Sequence, residues 1–172
     1  MKKENLQEWI GKTEERSDLL NAFPANAMAA TLNHEQLNYS ENKNLPPLWH
    51  WLYFLPIFRL SEAGYDGHAA LGDFLPPVQL PRRMWAGSRI EFLSPLKVGN
   101  EYKKKSKIKN VIAKSGRSGD LVFVTVTHEV SNGTTVFIKE EHDIVYREKA
   151  TSSSGPAKLI EAPKVFDFSI DI

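Results

Sequence analysis

Phe74-Leu-Pro-Pro-Val-Gln-Leu-Pro-Arg-Arg-Met-Trp-Ala-Gly87, running into a segment that closes at Pro95-Leu-Lys-Val-Gly99, is where this 172-residue chain changes character. Upstream the pattern is helical and aromatic; downstream a period-two alternation takes over. Pro76, Pro77 and Pro81 each fix φ, lack an amide donor and push the preceding residue out of helical space. The stretch therefore reads as a stiff extended connector, neither helix nor central strand. It carries two guanidiniums and an indole, and rigid loops are where binding groups concentrate. Arg82, Arg83, Trp85 and Gly87 are accordingly candidate substrate-binding residues.

Downstream of Gly87, the runs Ser88 to Ser94, Asn100 to Ala113, Asp120 to Ser131 and Thr134 to Arg147 read as strands. Gly99, Ser115-Gly-Arg-Ser-Gly119 and Asn132-Gly133 punctuate them, which predicts an antiparallel meander. Lys103, Lys105, Lys107 and Lys109 fall on one face of the second run, a solvated face that discourages edge aggregation. A plain two-residue turn at Asn132-Gly133 would set Val124 opposite Glu141 and Val122 opposite Asp143. A one-residue shift instead aligns Val122, Val124, Val126 and Val130 with Ile144, His142, Glu140 and Val136, so a bulge or a three-residue loop is expected there.

Upstream, Asn5 to Lys12 reads as a short amphipathic helix. Pro24 to Asn33 reads as a second helix, with Ser17 and Asp18 as capping oxygens and Pro24 in the first turn. Residues 34–47 are turn-prone, Leu48 to Phe58 is an aromatic cluster expected to form core or pocket wall, and Ala63 to Gly72 is a glycine-punctuated loop. Trp51 in that cluster joins the candidate substrate contacts. A helix followed by a meander predicts an α+β fold, an antiparallel sheet wrapped around a helix. The expected organisation is one domain over 1–148, then a linker and strand-like tail over 149–172, with Thr151 to Pro156 flexible and Val165 to Ile172 alternating.

A net charge of +1 argues against a nucleic-acid or polyanion binder. The absence of cysteine removes disulfides, thiolate nucleophiles and thiolate metal sites, and no histidine spacing resembles a zinc site. The most apolar run, Leu45 to Leu60, is broken by His50, Arg59 and three prolines and is too short to span a bilayer. The expectation is a cytoplasmic protein with no cofactor, no metal and neither nucleic-acid nor membrane partners.

Several blocks in order carry a family resemblance: Pro46-Pro-Leu-Trp-His-Trp-Leu-Tyr-Phe-Leu55, Asp66-Gly-His68, Gly72-Asp-Phe-Leu-Pro-Pro77, Leu80-Pro-Arg-Arg-Met-Trp-Ala-Gly87, Gly119 to His128 and Asp143-Ile-Val-Tyr-Arg147. Over residues 8–148 the chain resembles the N-terminal half of the MaoC-like double hot-dog hydratases and dehydratases, in particular the 3-methylfumaryl-CoA (mesaconyl-CoA) hydratases and their hydroxyacyl-thioester dehydratase relatives. The resemblance implies a hot-dog fold, paired units and reversible water addition to a 2-enoyl thioester. It places the catalytic Asp or Asn, followed five positions later by His, in the second unit. No histidine here fits that spacing: five residues before His34, His50, His68, His128 and His142 stand Ala29, Leu45, Ala63, Phe123 and Phe137. By resemblance, the chain stops about where the catalytic half would begin.

The reading that follows is a non-catalytic hot-dog half of an enoyl-thioester hydratase, binding the acyl-CoA substrate and pairing as a homodimer or with a catalytic hot-dog subunit. Asp66 and His68 are the runner-up catalytic pair, since a carboxylate beside an imidazole can orient and tune it, but an acid-Gly-His triplet is first of all a structural loop. Arg82 and Arg83 would grip CoA phosphates and Trp85 would stack on adenine or the pantetheine arm; equally, all three would serve as interface anchors. The alternatives are a homodimeric hot-dog thioesterase using Asp66 or Asp73, and a non-enzymatic acyl-CoA binding module.

Overall fold

The computed structural model describes residues 5–34, 38–116 and 119–149; the expected linker and the strand-like tail lie outside them. Five strands, β1 (Thr13–Leu19), β2 (Arg82–Phe92), β3 (Glu101–Gly116), β4 (Gly119–Ser131) and β5 (Val136–Arg147), form one antiparallel sheet in the order β1-β3-β4-β5-β2. One helix, α1 (Ala22–Thr31), packs on its inner face. This is the hot-dog fold.

Several expectations need correction. The meander holds only for β3, β4 and β5: β2 crosses the sheet to pair with β5, and β3 pairs on its far side with β1. The connector ends at Pro81, and Arg82 to Gly87 are already strand. Pro81 offers no ladder donor, but the residues after it are free to hydrogen-bond, and an edge strand tolerates such a start. Ser17 and Asp18 do not cap α1; they lie in β1, while the Asn21 side chain accepts from the Phe23 amide at 3.1 Å as the true cap. β1 itself was unforeseen because Thr-Glu-Glu-Arg-Ser-Asp-Leu has no apolar alternation. Its acids instead match the lysines of β3, as where Lys103 Nζ meets Glu15 Oε1 at 3.2 Å.

The β4-β5 hairpin carries a bulge between Val130 and Ser131, as expected, but the register lies two residues beyond the anticipated one: Val122, Val124 and Val126 oppose Tyr146, Ile144 and His142. A shift of two preserves the face of every side chain, so the valines still point inward. The Asn132 side chain explains the longer loop, accepting from the Thr134 and Thr135 amides at 3.1 and 2.8 Å.

The inner face holds two apolar clusters. Around α1, Ala25 and Ala29 pack among Tyr53, Phe54, Tyr102, Val130 and Ile138. At the other end Ile108, Val111, Val122, Val124, Val126, Ile144 and Tyr146 are covered by Leu6 and Trp9 of the N-terminal turn and by Leu71 to Leu80. That turn is a 3-10 helix over Leu6–Trp9, shorter than the expected helix. The lysines at 103, 105, 107 and 109 are exposed on the outer face, as the alternation requires. No described helix is long and apolar enough to cross a membrane.

Candidate functional site

Between the two apolar clusters the inner face turns polar. Strand alternation and register place Lys104 and Ser106 of β3, His128 of β4, Glu140 and His142 of β5 and Ser88 of β2 on that face. A cavity of about 380 Å³ opens over them, walled by Trp51, Trp85, Tyr53 and Phe54. The covering segment is a 3-10 turn, Trp49–Leu52, bracketed by two non-glycine residues with positive φ: Leu48 at 72° and Phe54 at 57°. Such backbone persists only where its surroundings over-determine it. Here the Phe54 amide donates to Asp18 Oδ2 at 2.7 Å, and Tyr53 Oη donates to the Asn21 carbonyl at 2.7 Å. The result fixes His50 and Trp51 over the sheet.

Glu140 is the centre of this site. Its Oε2 accepts from Trp51 Nε1 at 3.2 Å and its Oε1 from Ser88 Oγ at 2.9 Å, while Trp85 Nε1 donates to the same Ser88 oxygen at 3.2 Å. The indoles of Trp51 and Trp85 meet edge to face, centroids 6.5 Å apart at 77°. His50 Nε2 lies 3.7 Å from Glu140 Oε2, too far for a hydrogen bond but near enough to favour the anion. Burial works against ionisation of Glu140, yet His50, Trp51 and Ser88 outweigh it and bring its pKa down to about 2. Burial, then the Lys104 charge, lowers His128 to about 4; its Nδ1 lies 2.9 Å from Ser106 Oγ. His142 and Lys104 are also lowered, burial being the main cause in each.

The other candidates form a separate group. Arg83 Nε and Nη2 both reach Asp66 Oδ2, at 2.9 and 2.8 Å. Burial opposes ionisation of Asp66, but the His68 amide and the guanidinium prevail and hold its carboxyl below the usual range. His68 is exposed, its Nδ1 3.7 Å from that oxygen and 3.2 Å from the Asp66 carbonyl. Asp66 is thus committed to tying the glycine-rich loop to β2. Arg82 and Arg83, as neighbours in a strand, point to opposite faces, with Arg82 exposed. Gly87 sits at the irregularity where β2 slips against β5, between Trp85 and Gly87. Of the predicted residues, then, Trp51 and Trp85 converge on the cavity, Arg83 and His68 on Asp66, and Arg82 and Gly87 on neither.

Glu140, the three histidines and Lys104 were not among the sequence candidates. A signal existed: the expected register already put Glu140 and His142 on the valine face, where an acid is out of place. Among the described residues no cluster of three or more His, Cys, Asp or Glu could hold a metal ion.

Residues 48–171 match the family of hydroxyacyl-thioester dehydratases type 2. The chain belongs to that family. It is also similar to the mesaconyl-C(4)-CoA hydratase of Chloroflexus aurantiacus, 44% identical over 92% of this chain but only 56% of that protein. It therefore spans little more than half the length of that relative. Among solved structures, the ChsH1-ChsH2 complex of Mycobacterium tuberculosis has a chain with the same fold, with a TM-score of 0.61 and 12% identity over 81% of this chain and 90% of that one. A MaoC-like dehydratase from Rhodospirillum rubrum superposes with a TM-score of 0.46 and 13% identity over 81% and 93%.

Proposed function

We propose that this chain is the acyl-binding and pairing half of a cytoplasmic enoyl-thioester hydratase or dehydratase acting on a mesaconyl-type CoA ester, and that a second hot-dog unit supplies the catalytic groups. The observation that carries this is the cavity over Glu140. Its size and aromatic walls suit a short acyl group, and its one carboxylate is held by two donors and depressed in pKa, which makes it a poor general base. Asp66, the other acid considered, is engaged by Arg83, which weighs against a thioesterase built on it. Family membership, the partial coverage of the Chloroflexus aurantiacus relative and the missing Asp/Asn-to-His spacing support the same division of labour.

The test is an assay of mesaconyl-CoA hydration by the purified chain, alone and mixed with the C-terminal remainder of the Chloroflexus aurantiacus hydratase. The expected result is no turnover alone and turnover in the mixture. Hydration by the isolated chain sinks the reading.

A further inference from the structure

The outer face of the sheet differs from one end to the other. Toward the start of β3 it carries the exposed lysines at 103, 105, 107 and 109. At the other end, register sets Ile112, Phe123, Val145 and Met84 side by side across β3, β4, β5 and β2. Their sequence neighbours Val111, Val122, Val124, Ile144 and Tyr146 are buried in the inner face, so these four face outward. Ile112 and Met84 are 42% and 46% exposed. Across four strands the apolar stripe is about 14 Å wide.

The next row toward the strand ends is cationic: Arg82 lies directly opposite Arg147, and Leu121 and Lys114 continue the line. Like charges so opposed repel. Neither guanidinium enters an ion pair among the described residues, and Arg147 Nε is shielded from water without an acceptor. On the opposite side of the stripe stands Asp143. Among the described residues it accepts three hydrogen bonds, from Thr125 Oγ1 and two nitrogens of Arg89, where a carboxylate has room for about four.

Arg147 and Asp143 flank Val145 at equal distances along β5, which makes the face complementary to itself. A two-fold axis through Val145, running across the strands, lays the apolar stripe of one copy on that of another and brings each Arg147 over the other copy's Asp143. We propose that two copies of this chain associate back to back through this face, with the stripe at the centre and two Arg147-Asp143 ion pairs across it. The contact is separate from the cavity and from the pairing with a catalytic unit. A patch of this size buries less than roughly 1,200 Å² in total, the range of weak and reversible interfaces. The association should therefore build up with concentration and dissociate on dilution.

The experiment is analytical ultracentrifugation of the full chain over a range of concentrations. The mass should double as concentration rises. Val145→Lys sets two like charges face to face on the axis and should weaken that step by about a hundredfold or more. Arg147→Asp should weaken it too, and adding Asp143→Arg to the same chain should restore it. Because the chain has no cysteine, a short bis-maleimide should join two copies of Val145→Cys, but not of Lys105→Cys at the lysine end. A mass independent of concentration overturns the inference, as does a doubling that persists in folded Val145→Lys. An unassociated chain that instead sediments with phosphatidylglycerol vesicles would assign the patch to an anionic lipid surface, which also overturns it.

Discussion

Glu140 and His50 face each other across 3.7 Å, the carboxylate hydrogen-bonded on both oxygens and the imidazole on neither nitrogen. Removing the carboxylate would strip Trp51 and Ser88 of their acceptor. Glu140→Ala should therefore destabilise the fold by about 2 to 4 kcal/mol, and Glu140→Gln, which keeps one acceptor oxygen, by less. Urea unfolding followed by tryptophan fluorescence reads both; equal, negligible losses would mean the contacts carry no weight.

Acid should unfold this protein in two steps. His128 titrates near 4 when folded against an ordinary 6.5, so the folded state refuses a proton that the unfolded chain accepts. Stability is thus complete above about 6.5 and falls on the order of 2 kcal/mol toward pH 4. Glu140, lowered from 4.5 to about 2, adds a further loss as pH falls from 4.5 toward 2. In thermal melts from pH 8 to 3, His128→Gln should flatten the upper step and leave the lower one. An unchanged upper step would show that His128 does not report it.

The Arg83-Asp66 pair should behave as a tether between loop and edge strand. Breaking it with Arg83→Ala leaves a partly buried carboxylate, at a cost of about 2 kcal/mol, and Asp66→Asn should cost less. A double-mutant cycle should return a coupling of about 1 kcal/mol or more. The depressed Asp66 pKa makes this contribution full at neutral pH and lost as pH falls below the ordinary 3.8. Additive effects would count against a direct interaction.

Gly99 and Gly133 offer a matched comparison. Both have positive φ, 87° and 92°, but a Cβ on Gly99 would stand 2.9 Å from Glu41 Cγ while one on Gly133 meets nothing within 4 Å. Gly133→Ala should cost about 1 kcal/mol from backbone strain alone, and Gly99→Ala about 2 kcal/mol or more. Chemical denaturation measures the difference; a Gly133 variant as damaging as the Gly99 one would deny the steric contribution.

Much of the fold was legible because alternation and turn residues are local: the β3, β4 and β5 runs, the lysine face and the bulge near Val130 all follow from spacing. Strand order is not local. Nothing in Arg82 to Phe92 says whether it pairs with β3 or crosses to β5, and nothing apolar in Thr13 to Leu19 announces a strand. The site was half legible for the same reason. Trp51 and Trp85 stand out by residue type, whereas Glu140 stands out only through strand register, as an acid set among valines. Arg83 and Asp66 lie 17 positions apart, and only the loop's return to the sheet joins them.

α1 has ten residues and so rises about 15 Å, whereas the thirteen residues of β4 extend about 44 Å. A helix about a third as long as the strand cannot roof the whole inner face. The residues lining the cavity over Glu140 come from β2, β3, β4, β5 and the His50 to Pro56 segment, not from α1. The roof of this space is thus a turn rather than a helix, moored to the start of α1 where Tyr53 Oη meets the Asn21 carbonyl.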